Sequence, residues 1–243
     1  MKAGVIGAGT MGAGIAQIAA MAGCKVWLVD ADLERANAGR DKADASLDKL
    51  VARGKLEAVT SDAALARIEP SADQAMATHA ADVVIEAVPE DMALKRKLFA
   101  TLATEAPGHA LLGTNTSSLS ITKIAKGTGA EGRIIGLHFF NPVPLMKLLE
   151  VVRGQDTSEE TVSRALAFGE LVGKEPILVK DAPGFATSRL GVLLGLEAMR
   201  MVQDGVCSAA DVDKAMELGY RHPMGPLKLT DLVGLDVRLA IAE

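Results

Sequence analysis

The first thirty residues constrain the fold more than any other stretch. MKAGVIGAGTMGAGIAQIAAMAGCKVWLVD sets a glycine-rich turn between an apolar strand and a small-residue helix, then closes the next strand with an acid. Residues 3–6 read as the strand. Gly7 permits the tight turn, Gly9 lets the backbone approach a pyrophosphate, and Gly12 allows close helix-to-strand packing. With Thr10 and Met11 between them, these residues form a candidate cofactor-binding turn, with the phosphate charge at a helix N-terminus. A bare GxGxxG also occurs in folds that bind nothing, so its context matters. A helix over 12–23 and a second strand over 25–29 lead to Asp30, 18 residues beyond Gly12, where a carboxylate can accept from both ribose hydroxyls. A 2′-phosphate there would meet an uncompensated like charge, which favours NAD over NADP.

Composition removes several function classes. The 243 residues, 49% of them apolar, can bury one large or two modest cores. A net charge of -5, no basic stripe and only 3% aromatic residues argue against nucleic-acid binding. Cys24 and Cys207 are isolated in sequence and make neither a disulfide framework nor a zinc site. The chain opens directly in a strand with no leader pattern and holds no uninterrupted apolar span, so a soluble cytoplasmic protein with no membrane partner is expected.

Strand and helix signals alternate along most of the chain. Residues 33–58 read as a charged helical arm or surface helix, 64–68 as a short strand and 81–88 as a strong one, followed by a helix over 94–103. A strand over 110–113, the polar turn 114–118, a short helix over 121–126 and a strand over 133–140 come next. Strands over 148–152 and 176–179 flank a helix over 159–172. The expected fold is α/β, a Rossmann-type domain with a mostly parallel sheet, in which ligands collect at the carboxyl ends of the strands. After Pro183-Gly184 the strand signal stops, and helices are expected over 186–204, 208–218 and 227–240. The domains are therefore placed at 1–181 and 182–243, the second a small all-helical domain for substrate binding and self-association. Its last helix runs into Glu243 without a polar tail, which leaves either a truncated domain or one completed by a partner. The apolar GVLLGLEAMRM stretch suits a helix in a dimer core or an ordinary intrachain core. His222, beside Pro223, Gly225 and Pro226, reads as a turn residue.

Three polar clusters fall at the ends of successive strands: Val88-Pro89-Glu90, Asn115-Thr116-Ser117-Ser118 and His138-Phe139-Phe140-Asn141-Pro142. Glu90 can orient a ribose or a basic side chain, or cap the helix that follows. The NTSS run offers hydroxyls and amides, or simply caps the helix at Ile121. His138 is suited to accepting an alcohol proton while hydride leaves the carbon, although a satisfied core histidine is the plainer reading. The imidazolium so formed needs an acid partner. Glu150, enclosed by Leu148-Leu149 and Val151-Val152, is the candidate, because an acid inside such a strand is costly unless paired. His79, His109 and His222 have no ligand-like spacing with His138, and this chemistry requires no metal.

Six ordered stretches, GAGTMGAGIAQ, VIEAVPEDMALKRKLF, TNTSSLSI, GLHFFNPVPLMKLLEVV, DAPGFATSRL and HPMGPLKLTDLVGLD, resemble the 3-hydroxyacyl-CoA dehydrogenase family, including its 3-hydroxybutyryl-CoA members, over essentially the whole length. The resemblance implies NAD-dependent, reversible oxidation of an L-3-hydroxyacyl-CoA to the 3-oxoacyl-CoA. It implies His138 as general acid/base, Glu150 as its orienting acid and Ser117 as the contact to substrate oxygen and nicotinamide. Cofactor contacts from Asp30, Glu90, Lys95 and Asn141, and a homodimer, are implied likewise. Ser46 and Arg53 hold the arm positions that meet the CoA nucleotide, though a solvated helix face explains them too. Ser188 stands where the family usually has asparagine, and a single hydroxyl positions a substrate carbonyl less fully than an amide, or through water. The rival readings are a dehydrogenase of a free 3-hydroxyacid or sugar acid, and a noncatalytic NAD-binding structural protein.

Overall fold

A computed structural model describes residues 1–242. The chain divides into two compact units, Met1–Asp181 and the residues from Ala182 onward.

The first unit is built on eight strands: β1 (Lys2–Ile6), β2 (Lys25–Val29), β3 (Ile68–Ser71), β4 (Val83–Glu86), β5 (Leu111–Thr114), β6 (Ile134–Phe139), β7 (Leu148–Arg153) and β8 (Glu175–Lys180). They form one sheet in the order β3-β2-β1-β4-β5-β6-β7-β8. Its helices are α1 (Thr10–Met21), α2 (Leu33–Ala52), α3 (Ala58–Leu65), α4 (Gln74–Thr78), α5 (Met92–Glu105), α6 (Ile121–Ala125) and α7 (Glu159–Leu171). Every neighbouring pair is parallel except β6 and β7. Parallel partners need a crossover of a dozen or more residues, and only residues 140–147 join β6 to β7, so the chain must reverse there. The order turns back between β1 and β4, which puts the ligand crevice of such a sheet beside Gly7. Gly7 has φ 99°, and a Cβ on it would fall 2.5 Å from the Ala87 carbonyl oxygen. Val5, Leu28, Ile85, Ile135 and Leu137 of the strands pack with Ile15 and Ile18 of α1 and Phe168 of α7 in the core.

The structure corrects several boundaries. The arm expected over 33–58 is two helices, α2 and α3, separated by a turn at Gly54 with φ 65°. The strand expected over 64–68 is the end of α3 and a turn; β3 begins at Ile68 and carries Pro70, which an edge strand tolerates because one side of it has no ladder to supply. The strand expected over 81–88 contracts to β4. The five-residue α4 has too little apolar periodicity to be read from sequence, yet its backbone lies against β1.

In the second unit α8 (Thr187–Gln203), α9 (Ala209–Gly219), α10 (Pro226–Val233) and α11 (Leu235–Ala242) follow one another. The single helix expected over 227–240 is thus broken, at Gly234 with φ 97°. Asp213, only 4% exposed, accepts from the Leu227 and Lys228 amides at 2.8 and 3.2 Å and so caps α10. Along the apolar stretch of α8 only Gly195 and Ala198 are buried, whereas Leu193 is 54% and Leu194 45% exposed. The stretch thus packs within its own unit through Gly195, against Thr230 of α10, and leaves its leucines exposed.

Gly4 lets α4 pack onto β1, since a Cβ there would lie 1.9 Å from the Ala77 carbonyl oxygen in α4. Gly4→Ala is expected to force α4 off β1 at a cost of about 3 kcal/mol. Urea unfolding checks this, and a loss below about 1 kcal/mol would show that α4 yields freely.

Candidate active site

Because β1, β2, β4, β5 and β6 run parallel, the residues that follow them share one edge of the sheet. That edge carries Gly7–Gly12, Asp30, Glu90, Asn115–Ser118 and Asn141. At the start of α1, Gly9 is the cap residue; no side chain caps the helix and no acid occupies its first turn. A Cβ on Gly9 would meet nothing within 4 Å, while one on Gly12 would fall 1.7 Å from the Gly7 carbonyl oxygen. Open space in front of uncapped amides is what a pyrophosphate needs, and Thr10 and Met11 contribute their amides to that first turn. One Asp30 oxygen accepts from the Ala8 amide at 2.7 Å, tying the end of β2 to the glycine turn, and the other accepts from the Ala31 amide at 2.7 Å. Each carboxylate oxygen retains a lone pair for a ribose hydroxyl. These residues fit a dinucleotide.

His138 and Glu150 are directly opposite each other in the antiparallel β6–β7 ladder. Side chains opposed in such a pair share a face with Cβ atoms about 5 Å apart. Here His138 Nδ1 lies 2.7 Å from Glu150 Oε2, with Glu150 fully buried and His138 5% exposed. With the carboxylate ionised, Glu150 accepts and His138 Nδ1 is the donor of this bond. The ring also packs against Phe140, with centroids 4.4 Å apart. The pair can take up and return a proton in a nearly dry setting.

A second buried acid, Glu86, stands at the end of β4. Its Oε1 accepts from Lys95 Nζ at 2.5 Å and from the Val88 amide at 2.7 Å, and its Oε2 from the Thr114 hydroxyl at 2.6 Å. Lys95 and Glu86 are both 0% exposed. Lys95 Nζ also lies 3.4 Å from Glu90 Oε2, while Glu90 Oε1 accepts from the Thr116 hydroxyl and, at 3.0 Å, from the Ser117 amide. Lys95 is thus an enclosed cation that orients Glu90. The capping reading of Glu90 fails, because Asp91 caps α5 by accepting from the Leu94 amide at 2.7 Å. Nor does the NTSS turn supply the cap of α6, which is Ser120. Asn115 instead accepts from the Phe139 amide at 3.0 Å and joins the ends of β5 and β6.

Ser46 is half-buried on α2 and Arg53 is exposed just past its end, two helical turns away. Ser188 lies in the first turn of α8 in the second unit. Sequence reasoning missed Glu86, although the argument that selected Glu150, an acid within an apolar strand, applies to it equally. Thr116 of the NTSS run holds Glu90 while its oxygen accepts from the Ser118 and Leu119 amides at 3.3 and 2.9 Å.

The family model for the NAD-binding domain of 3-hydroxyacyl-CoA dehydrogenase matches residues 2–182, and that for the C-terminal domain of the same enzyme matches residues 184–243. A probable 3-hydroxybutyryl-CoA dehydrogenase of Bacillus subtilis is 45% identical over 98% of this chain and 83% of its own length. The mitochondrial hydroxyacyl-coenzyme A dehydrogenase of Sus scrofa is 43% identical over 98% of this chain and 78% of its own. Among solved structures, an (S)-3-hydroxybutyryl-CoA dehydrogenase from Ralstonia eutropha superposes with a TM-score of 0.95 at 41% identity, covering 99% of this chain and 84% of that one.

Removing Glu86 alone leaves the Lys95 ammonium buried with only the 3.4 Å contact to Glu90 for charge balance. Glu86→Gln is expected to cost about 3 kcal/mol in urea unfolding, and Glu86→Leu combined with Lys95→Met to recover most of it. A double variant as unstable as Glu86→Gln would show that the polar groups around the pair, not its charge, set the cost.

Proposed function

The chain belongs to the 3-hydroxyacyl-CoA dehydrogenase family, and on that premise we propose that His138 and Glu150 carry the proton transfer of its reaction. That reaction is the NAD-dependent oxidation of a 3-hydroxyacyl-CoA to the 3-oxoacyl-CoA. The carrying observation is the 2.7 Å contact of His138 with a fully buried Glu150 at the end of β6. NAD, when bound, supplies the hydride acceptor for the substrate carbon. His138 Nε2 accepts the hydroxyl proton of the L-substrate, and the Glu150 carboxylate stabilises the imidazolium that results. In reduction the imidazolium returns the proton to the oxo group. Ser117, whose amide is held by Glu90, places its hydroxyl on the substrate oxygen.

Gly7, Gly9, Thr10, Met11 and Gly12 cradle the pyrophosphate, and Asp30 binds the ribose diol. Glu90, oriented by Lys95, and Asn141 complete the cofactor contacts. Ser188 positions the substrate carbonyl, and Ser46 and Arg53 meet the CoA nucleotide. A homodimer is supported by the exposed leucines of α8. No helix among the described residues is long and apolar enough to cross a membrane. A cytoplasmic setting is supported by two unpaired cysteines, of which Cys24 is buried with its thiol pKa pushed up by desolvation.

Purified protein is assayed with NAD and short-chain 3-hydroxyacyl-CoA beside the free 3-hydroxyacid. The thioester is expected to be the substrate, and His138→Ala to lose about 10²–10⁴-fold in kcat with NADH affinity retained. Equal rates for wild type and His138→Ala would remove the assignment. Asp30→Ser is expected to weaken NAD and narrow its advantage over NADP in binding titrations, since the change deletes ribose bonding and phosphate repulsion together. An unaltered ratio of affinities would make Asp30 a loop acid whose task ends at the Ala8 amide.

A further inference from the structure

Residues 140–147 leave β6 two positions after His138, carry Asn141, and return as β7 toward Glu150. The segment is held at two points. At one, Val143, 2% exposed, sits on α1 so closely that a Cβ on Gly14 would fall 2.8 Å from the Val143 Cβ. At the other stands Lys174, which follows the turn after α7, with Gly173 at φ 75°. Lys174 is 7% exposed, and its ammonium donates to the main-chain carbonyls of Val143 and, at 2.7 Å, Met146. Neither partner is a carboxylate, and burial pushes the Lys174 pKa down. A cation placed so is expensive, and an apolar side chain of similar length would pack there at less cost. What the ammonium adds is donors enough to hold two carbonyls three residues apart in one geometry.

We propose that Lys174 is a positioning residue, a buried staple that presses the 140–147 segment onto α1 and so fixes Asn141 toward the bound dinucleotide. This rests on the reading of Asn141 as a cofactor contact. It separates two functions on neighbouring residues. The His138–Glu150 pair is set by the β6–β7 ladder and is independent of the staple; the Asn141 contact depends on it.

The test compares wild type, Lys174→Met and Lys174→Arg in NADH fluorescence titration, amide hydrogen exchange of the cofactor-free protein, and the pH profile of kcat/KM. Lys174→Met is expected to weaken NADH by about tenfold or more, from the loss of two charge-assisted hydrogen bonds, and to speed exchange at Leu145 and Met146. The pH profile should keep its wild-type shape, and Lys174→Arg should restore affinity at least in part. Wild-type NADH affinity and segment exchange in Lys174→Met, with only a lower Tm, would overturn the proposal; so would a displaced pH profile. If Lys174→Met does not fold, Gly14→Ala displaces the same segment at its Val143 contact, and unchanged NADH affinity with unchanged exchange there would overturn it. A wild type that fails to bind NADH defeats the cofactor reading instead, and exchange in the cofactor-free protein then decides the staple by itself.

Discussion

The reversal of chain direction between β6 and β7 is the constraint on which the catalytic half of this molecule depends. Eight residues cannot carry a crossover, so β7 returns antiparallel, and in that ladder Glu150 has one opposite partner, His138. Register in a buried sheet admits no slip, because moving one residue would turn every side chain to the other face. Leu149 and Val151, both fully buried, hold the register on either side of Glu150. The imidazole therefore has its acid partner by strand geometry, with no mobile loop in between. A lone carboxylate at that depth would cost several kcal/mol; paired with the ring it orients the imidazole.

The cofactor half rests on a different device. Glu86 closes β4 and gathers the Lys95 ammonium, the Val88 amide and the Thr114 hydroxyl around one carboxylate. From Lys95 the polar chain continues to Glu90, and from Glu90 to Thr116 and the Ser117 amide. The ends of β4 and β5 are thereby locked together at the crevice. Asn115 extends the lock to β6 through the Phe139 amide. Strand ends that would otherwise fray hold their side chains in a single arrangement, as sites built from several chain segments require.

Much of this was legible in the residues, for identifiable reasons. Glycines at 7, 9 and 12 followed by an acid at 30 carry their geometry locally, since each answers a backbone requirement within a few residues. The end of the strand signal before Pro183-Gly184 showed where the sheet stops, and Glu150 stood out as an acid out of place in an apolar run. What stayed hidden depends on partners distant in sequence. α4 is short and takes its place from Gly4, some seventy residues earlier. β3 was displaced because Pro70 argues against a strand unless its edge position is known. Lys174 has no local signature at all; its carbonyl partners lie 28 and 31 residues away.

Four ionic groups, Glu86, Lys95, Glu150 and Lys174, are buried at or near the edge where the strands end, within a unit whose core is mostly apolar. Ion pairs at such depth are poor sources of stability, since apolar residues of matching volume serve as well or better. Their directional contacts do what apolar packing cannot. A leucine in place of Glu86 fills volume but leaves Lys95, and through it Glu90, without orientation; a methionine in place of Lys174 fills volume but releases two carbonyls. These buried charges are joined to the crevice by direct polar contacts: Glu150 to His138 by a hydrogen bond, Glu86 through Lys95 to Glu90 by ion pairs, and Lys174 to the segment bearing Asn141 by two hydrogen bonds. Ionic groups here serve position, while the apolar core and the sheet ladder supply the stability that lets them stay buried.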